Sequence, residues 1–125
     1  MEKILKKENI QGGGFLFNHP HYSEIFIPEE FNDEQKMMAK ATQDFIDREV
    51  IPYVDRIDAL EEGLMSSIMT KAGKLGLLGV CIPEQYGGLG MSFNTGMLIA
   101  DIVASAGSFT TAYGAHTGIG TLPSL

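Results

Sequence analysis

Between two helical patterns the chain places Gly76, Gly79, Gly87, Gly88 and Gly90, with Pro83, around the short apolar stretch Val80-Cys81-Ile82. Glycine tolerates positive φ and lets backbone pass close to other backbone or to a ligand. A run so rich in it predicts a tight connection between two helices. The apolar stretch inside it reads as strand-like.

Around that loop the apolar spacing is helical. Asn32 followed by Gln35 resembles a capping box, and Asp33 and Glu34 suit the positive end of a helix. Met37, Met38, Ala41, Phe45 and Val50 follow at helical intervals, with Asp44 and Arg48 as an expected i,i+4 pair. Pro52 interrupts this helix or begins the next. Leu64, Ile68, Ala72 and Leu75 share one face of a second helix, which Gly76 ends as a C′ residue. Ser92 is placed to cap a third helix. Met97, Leu98, Ile99, Ile102 and Val103 surround it nearly all the way, so it is expected to be central. Gly107-Ser108 breaks and re-caps, and a fourth helix of small residues follows. The expected spans are 33–50, 64–75, 93–106 and 109–117. The fold class is all-α, a helical-bundle-like domain over 32–125 behind an N-terminal extension, 1–31. In that extension Gln11-Gly12-Gly13-Gly14-Phe15-Leu16-Phe17 reads as a turn and a short strand.

Charge is unevenly spread. The net charge is -7, and every unit of it lies in residues 1–62, which hold fourteen acids and seven bases. No basic patch is visible, which argues against a nucleic-acid partner. Residues 93–125 carry one charged side chain, Asp101. Asp101, Asn94, His116 and many small polar residues interrupt that segment, so no clean run of about 20 apolar residues spans a membrane. It reads instead as a segment buried on several sides, which implies self-association, marginal stability, or membership of something larger. Cys81 is the only cysteine. It is expected to be a small buried hydrophobe in a reducing, cytoplasmic setting. Lys3, Lys6 and Lys7 are not followed by the apolar region of a signal peptide, and the N-terminus is not Arg-rich as a transit peptide would be.

Candidate chemistry is sparse. His19-Pro20-His21 has no third ligand nearby and reads as a solvated loop rather than a metal pair. Gly88-Leu89-Gly90 and Gly118-Ile119-Gly120 do not complete G-x-G-x-x-G, because Phe93 and Pro123 stand where the third glycine belongs. Asp101 reads as a capped or paired helix acid rather than a general base. No Ser-His-Asp or Cys-His order supports hydrolysis.

The run Gly76-Leu77-Leu78-Gly79-Val80-Cys81-Ile82-Pro83-Glu84-Gln85-Tyr86-Gly87-Gly88-Leu89-Gly90 resembles the loop joining two helices in the N-terminal domain of flavin-dependent acyl-CoA dehydrogenases. Phe31-Asn32-Asp33-Glu34-Gln35 is similar to that family's entry into its first helix, and Glu49-Val50-Ile51-Pro52 to its exit. Gly114-Ala115-His116 with Ile119-Gly120 resembles its "G-x-H-x-x-x-G". The motifs keep the family's order from Phe31 onward.

The resemblance implies an N-terminal helical portion of a longer enzyme that desaturates acyl-CoA thioesters with FAD. The flavin and the glutamate base lie in other domains of that enzyme. Carried over residue by residue, it yields no catalytic residue and no cofactor ligand here, so the chain alone is expected to be inactive and to hold no FAD. It does imply substrate-binding positions at the closed end of an acyl pocket: Thr111, Ala112, Ala115 and Ile119. Implied partners are the remaining flavin-binding domains, an acyl-CoA, an electron acceptor and further subunits of a homo-oligomer. The alternative reading is a stand-alone helical interaction or scaffold module without activity.

Overall fold

The computed structural model describes residues 10, 12–19 and 21–125. Lys3, Lys6, Lys7, Gln11 and Pro20, which entered the reading of the N-terminal segment, lie outside the described residues. The chain divides into two units, Met1–Asp33 and Glu34–Leu125.

In the first unit, Gly12–Leu16 forms a turn of 3-10 helix instead of the expected turn and strand. The amides of Phe17 and Asn18 both donate to Gly14 O, at 3.1 and 3.0 Å, which curls the backbone and rules out extension. The Ile10 amide donates to Glu24 O at 2.9 Å. Phe26 meets Phe31 edge-on, with ring centroids 5.1 Å apart. His21 is occupied by its own turn: its amide donates to Glu24 Oε2 at 2.7 Å, and its Nδ1 lies 2.7 Å from Ser23 Oγ.

The second unit is built of helices, with no strand among the described residues, as the apolar spacing requires. α1 (Asp33–Phe45) widens into a π turn, Ile46–Val50. Pro52 cannot donate to the carbonyl four residues back, and the Ile51 amide reaches five back to Ile46 O. The wider turn alters the phase between Asp44 and Arg48. The expected pair does not form; the ion pairs among the described residues are Lys71–Glu49 and Arg56–Glu61. Pro52 then opens a 3-10 turn that leads into α2 (Val54–Asp58).

α3 (Leu64–Lys74) ends at Gly76, whose φ of 78° is the left-handed exit expected of it. Ile68 and Ala72 are buried, but Leu75, expected on the same face, lies past the last turn and is 52% exposed. α4 (Phe93–Val103) starts at Ser92, whose hydroxyl accepts from the Thr95 amide at 3.4 Å. Gly107 reverses the chain with φ 56° into α5 (Ser108–Gly114), which widens into a second π turn, Ala115–Gly120. Ser108 does not cap α5 with its side chain; its hydroxyl donates to the Asp58 carboxylate and ties α5 to the end of α2.

The core is one cluster. Phe45, Ile46 and Val50 meet Ile57, Ile68, Ala72, Leu77, Val80, Ile99, Val103, Phe109 and Tyr113. Phe109 sits between Phe45 and Tyr113, with both ring centroids 6.1 Å away. A buried hydrogen bond, Gln35 Nε2 to Thr95 Oγ1 at 2.9 Å, ties α1 to α4. α4 corrects the expectation of burial on nearly every side. Thr95, Ile99 and Val103 form its buried stripe, while Phe93 is 76% and Met97 52% exposed.

The glycine-rich loop folds back on itself. The amides of Leu89, Gly90 and Met91 donate to Gly79 O, Ile82 O and Val80 O at 2.9, 2.8 and 2.9 Å. The turn between the two arms is the short 3-10 helix Glu84–Tyr86. Val80-Cys81-Ile82 is therefore not a strand, although its carbonyls are used. Val80 has helical dihedrals, and Ile82 N donates to Gly79 O within its own arm. Cys81 is exposed, not buried. Its neighbours Val80 and Ile82 point into the protein, which turns the thiol outward. No helix among the described residues is long and apolar enough to cross a membrane.

Candidate functional site

Where α4 and α5 diverge, an apolar groove of about 320 Å³ opens against the arm 77–82 of the glycine-rich loop. Phe93, Met97 and Ala100 form one wall, and Tyr113, Thr117 and Leu122 the other. Its floor exists because side chains are missing. A Cβ on Gly96 would lie 2.6 Å from Cys81 Sγ, so only glycine lets α4 lie beside the thiol. Two hydrogen bonds fix the opposite wall. Tyr113 Oη donates to Leu77 O at 2.8 Å, and Thr117 Oγ1 donates to Tyr113 O at 2.9 Å.

Electrostatically the groove is nearly blank, with no Lys, Arg, Asp or Glu in its lining. Partial burial pushes the Cys81 thiol above its ordinary range, which disfavours the reactive thiolate. Burial, and secondarily the facing Cys81, pushes the Tyr113 phenol up to about 12. Asp101 lies on the exposed side of α4, without a side-chain hydrogen bond or ion pair to the described residues; the segment 93–125 that carries it holds no Lys or Arg to pair with it. No group of three His, Cys, Asp or Glu among the described residues could hold a metal ion.

The Tyr113 phenol makes a pH dependence. Its native pKa is raised above the ordinary 10.0. The unfolded chain therefore loses this proton first as pH rises. The associated stability is complete below about pH 10 and disappears between about pH 10 and 12. Tyr113→Phe is expected to remove that alkaline step from a plot of unfolding free energy against pH. At neutral pH it costs about 1 kcal/mol for the lost hydrogen bond to Leu77 O.

The four residues named from sequence do not line this groove. Thr111 and Ala115 are exposed and Ala112 is half-buried. Ile119, on the π turn, is 84% exposed. They lie outward on α5 and its continuation, whereas Tyr113 points inward, as its helical phase requires. The groove itself was not singled out from sequence, although apolar residues on more than one face of α4 were its signal.

The fold and this loop define a class. The model of the "Acyl-CoA dehydrogenase, N-terminal domain" family matches residues 32–125. The chain belongs to that family. It is 46% identical over 113 residues to a probable acyl-CoA dehydrogenase of Bacillus subtilis (strain 168), covering 90% of this chain and 19% of that protein. It is 27% identical over 124 residues to a mitochondrial isovaleryl-CoA dehydrogenase of Solanum tuberosum, covering 95% of this chain and 30% of that protein. A crystal structure of an acyl-CoA dehydrogenase complexed with FAD from Bacillus anthracis superposes with a TM-score of 0.84 at 43% identity, covering 90% of this chain and 20% of that one. The chain thus spans between about a fifth and a third of the length of these relatives.

Proposed function

We propose that this chain is the N-terminal helical portion of a flavin-dependent acyl-CoA dehydrogenase, an enzyme that desaturates acyl-CoA thioesters in the cytoplasm. The observation that carries this is the 46% identity to the probable acyl-CoA dehydrogenase of B. subtilis, sustained over 90% of the chain. The groove does not fit the flavin nucleotide, because no Lys or Arg faces into it to meet the diphosphate. No step of the redox chemistry runs through the residues of this chain, and the isolated chain is expected to emerge colourless from desalting after incubation with FAD. On this reading flavin binding and the catalytic base belong to the remaining domains of that enzyme, and an electron acceptor and further subunits are partners of the complete enzyme. The reading as a stand-alone helical module gains no observation of its own.

Within that enzyme, Thr111, Ala112, Ala115 and Ile119 border the closed end of the acyl-chain pocket. In support, Thr111 and Ala115 share a helix face by their i,i+4 spacing, and they and Ile119 are exposed. Small side chains there leave room for medium-to-long acyl chains. The test replaces the matched segment of the B. subtilis relative with this chain and measures kcat/KM from butyryl- to palmitoyl-CoA. Thr111→Phe and Ala115→Phe are expected to shift the preference toward shorter chains. Each excluded methylene forfeits about 0.8 kcal/mol of burial, roughly fourfold in kcat/KM. An unchanged profile in both variants would show that this face only packs against protein.

A further inference from the structure

We infer that the turn joining α2 to α3 is a docking surface for a separate protein that presents an apolar side chain flanked by lysine or arginine. Leu60 is its anchor. Among the described residues it is the only one other than glycine with a left-handed φ, 56°. It ends α2 as a Schellman turn does: the Leu60 amide donates to Ile57 O at 2.9 Å and the Glu61 amide to Arg56 O at 3.1 Å. Glycine is the usual residue at that place, because a Cβ crowds the left-handed backbone. The same turn does use glycine three residues on, at Gly63, where φ is 75°. Leu60 also leaves its side chain 87% exposed. No contact among the described residues offsets either cost, so the gain from a leucine here lies in a contact outside the domain.

Beside Leu60 lies a groove of about 580 Å³. Ile57, Leu60 and Met65 are its apolar lining; Asp58, Glu61 and Glu62 supply carboxylates, and no Lys or Arg lines it. Arg56 answers Glu61. Asp58 takes only the neutral Ser108 hydroxyl, and Glu62 has no ion pair among the described residues. These charges select the occupant. A second copy of this chain would bring the same carboxylates on a chain of net charge -7 and be repelled, as would an anionic membrane surface. A basic protein covers Leu60 and the groove with its apolar side chain while its Lys or Arg meet Asp58 and Glu62.

The test titrates the 125-residue chain with the peptide acetyl-Lys-Arg-Leu-Leu-Arg-Lys-amide and follows the protein amides by NMR. Saturable shifts are expected at residues 57–66 and at Ser108. The Kd is expected to rise about tenfold between about 50 and about 300 mM NaCl. Leu60→Gly keeps every charge and relieves the left-handed backbone. It is expected to raise the Tm while weakening the peptide about tenfold, a combination that loss of folding does not produce. Glu62→Gln is expected to weaken the peptide about threefold at unchanged Tm. The absence of saturable shifts at these residues overturns the proposal, and so does equal affinity of the Leu60→Gly chain. Equal affinity for acetyl-Lys-Arg-Gly-Gly-Arg-Lys-amide also overturns it, since that peptide reports only general attraction to an acidic chain. Shifts that grow with protein concentration without peptide, matched by a dimer in sedimentation, assign the surface to a second copy and overturn it. The hybrid with the B. subtilis relative tests access in the longer enzyme. With Cys81→Ser, Leu60→Cys and all other cysteines replaced by serine, maleimide is expected to label position 60 as fast as in the isolated chain carrying the same two substitutions. Labelling about a hundredfold slower shows that the rest of the enzyme covers Leu60, and overturns the proposal.

Discussion

Gly88→Ala is expected to destabilise the domain by about 3 kcal/mol or more, read as a lower urea midpoint at unchanged m value. A Cβ on Gly88 would lie 2.0 Å from Ile82 O and 2.4 Å from Ile82 Cβ. Neither atom is the free end of a flexible side chain. Ile82 O already accepts from the Gly90 amide at 2.8 Å, and the Ile82 side chain is buried. Relief therefore means prising apart the two arms of the loop, which breaks the hydrogen bonds that close it. The neighbouring Gly87 is the control. Its φ is 82°, but a Cβ there meets nothing within 4 Å. Gly87→Ala carries only the strain of a left-handed residue, about 1–2 kcal/mol. Equal effects at both positions would mean that the loop opens freely and that the approach of Gly88 to Ile82 is unimportant.

Phe109→Ala is expected to cost about 3–5 kcal/mol, the range for emptying a fully enclosed aromatic site. Phe109 is 1% exposed and bridges Phe45 on α1 and Tyr113 on α5. Its loss opens a cavity at the centre of the single core cluster and also removes two aromatic contacts. Against a typical total of about 5–15 kcal/mol, that loss should leave the isolated chain partly unfolded at physiological temperature. Phe109→Leu keeps much of the volume and should cost less than half as much. Thermal and urea unfolding of the three proteins give the comparison. If the alanine variant melts with the parent, α5 is not docked on α1 and the core is assembled otherwise.

The helices were legible from residue spacing because each carries a local signal. The Ser92 cap and the Gly76 exit formed where expected, since both depend on atoms a few residues away. What went astray depended on distant partners. The Asp44–Arg48 pair failed because Pro52 widens the helix between them into a π turn, a change the i,i+4 rule does not contain. Val80-Cys81-Ile82 looked like a strand because it is apolar and short. Its actual backbone follows from hydrogen bonds to 89–91, which no pattern within three residues encodes. Residue type places Cys81 in the interior, but the core takes up its neighbours Val80 and Ile82 and leaves Cys81 at the surface.

For the acyl positions, sequence alone identifies small residues on one helix face, and burial places that face outward. The groove on the other side of α5 became visible only in three dimensions. Its walls come from residues 77–82, 93–100 and 113–122, and no one of these segments is concave by itself. Sequence by itself determined the all-α class, the start at Ser92, the exit at Gly76 and the family, because caps, glycine exits and apolar periods act over a few residues. Tertiary structure alone decided which apolar residues of α4 are buried and which remain open. Burial of Thr95, Ile99 and Val103 depends on α1 and α5 reaching that stripe, and nothing among the described residues covers Phe93 and Met97 to the same degree.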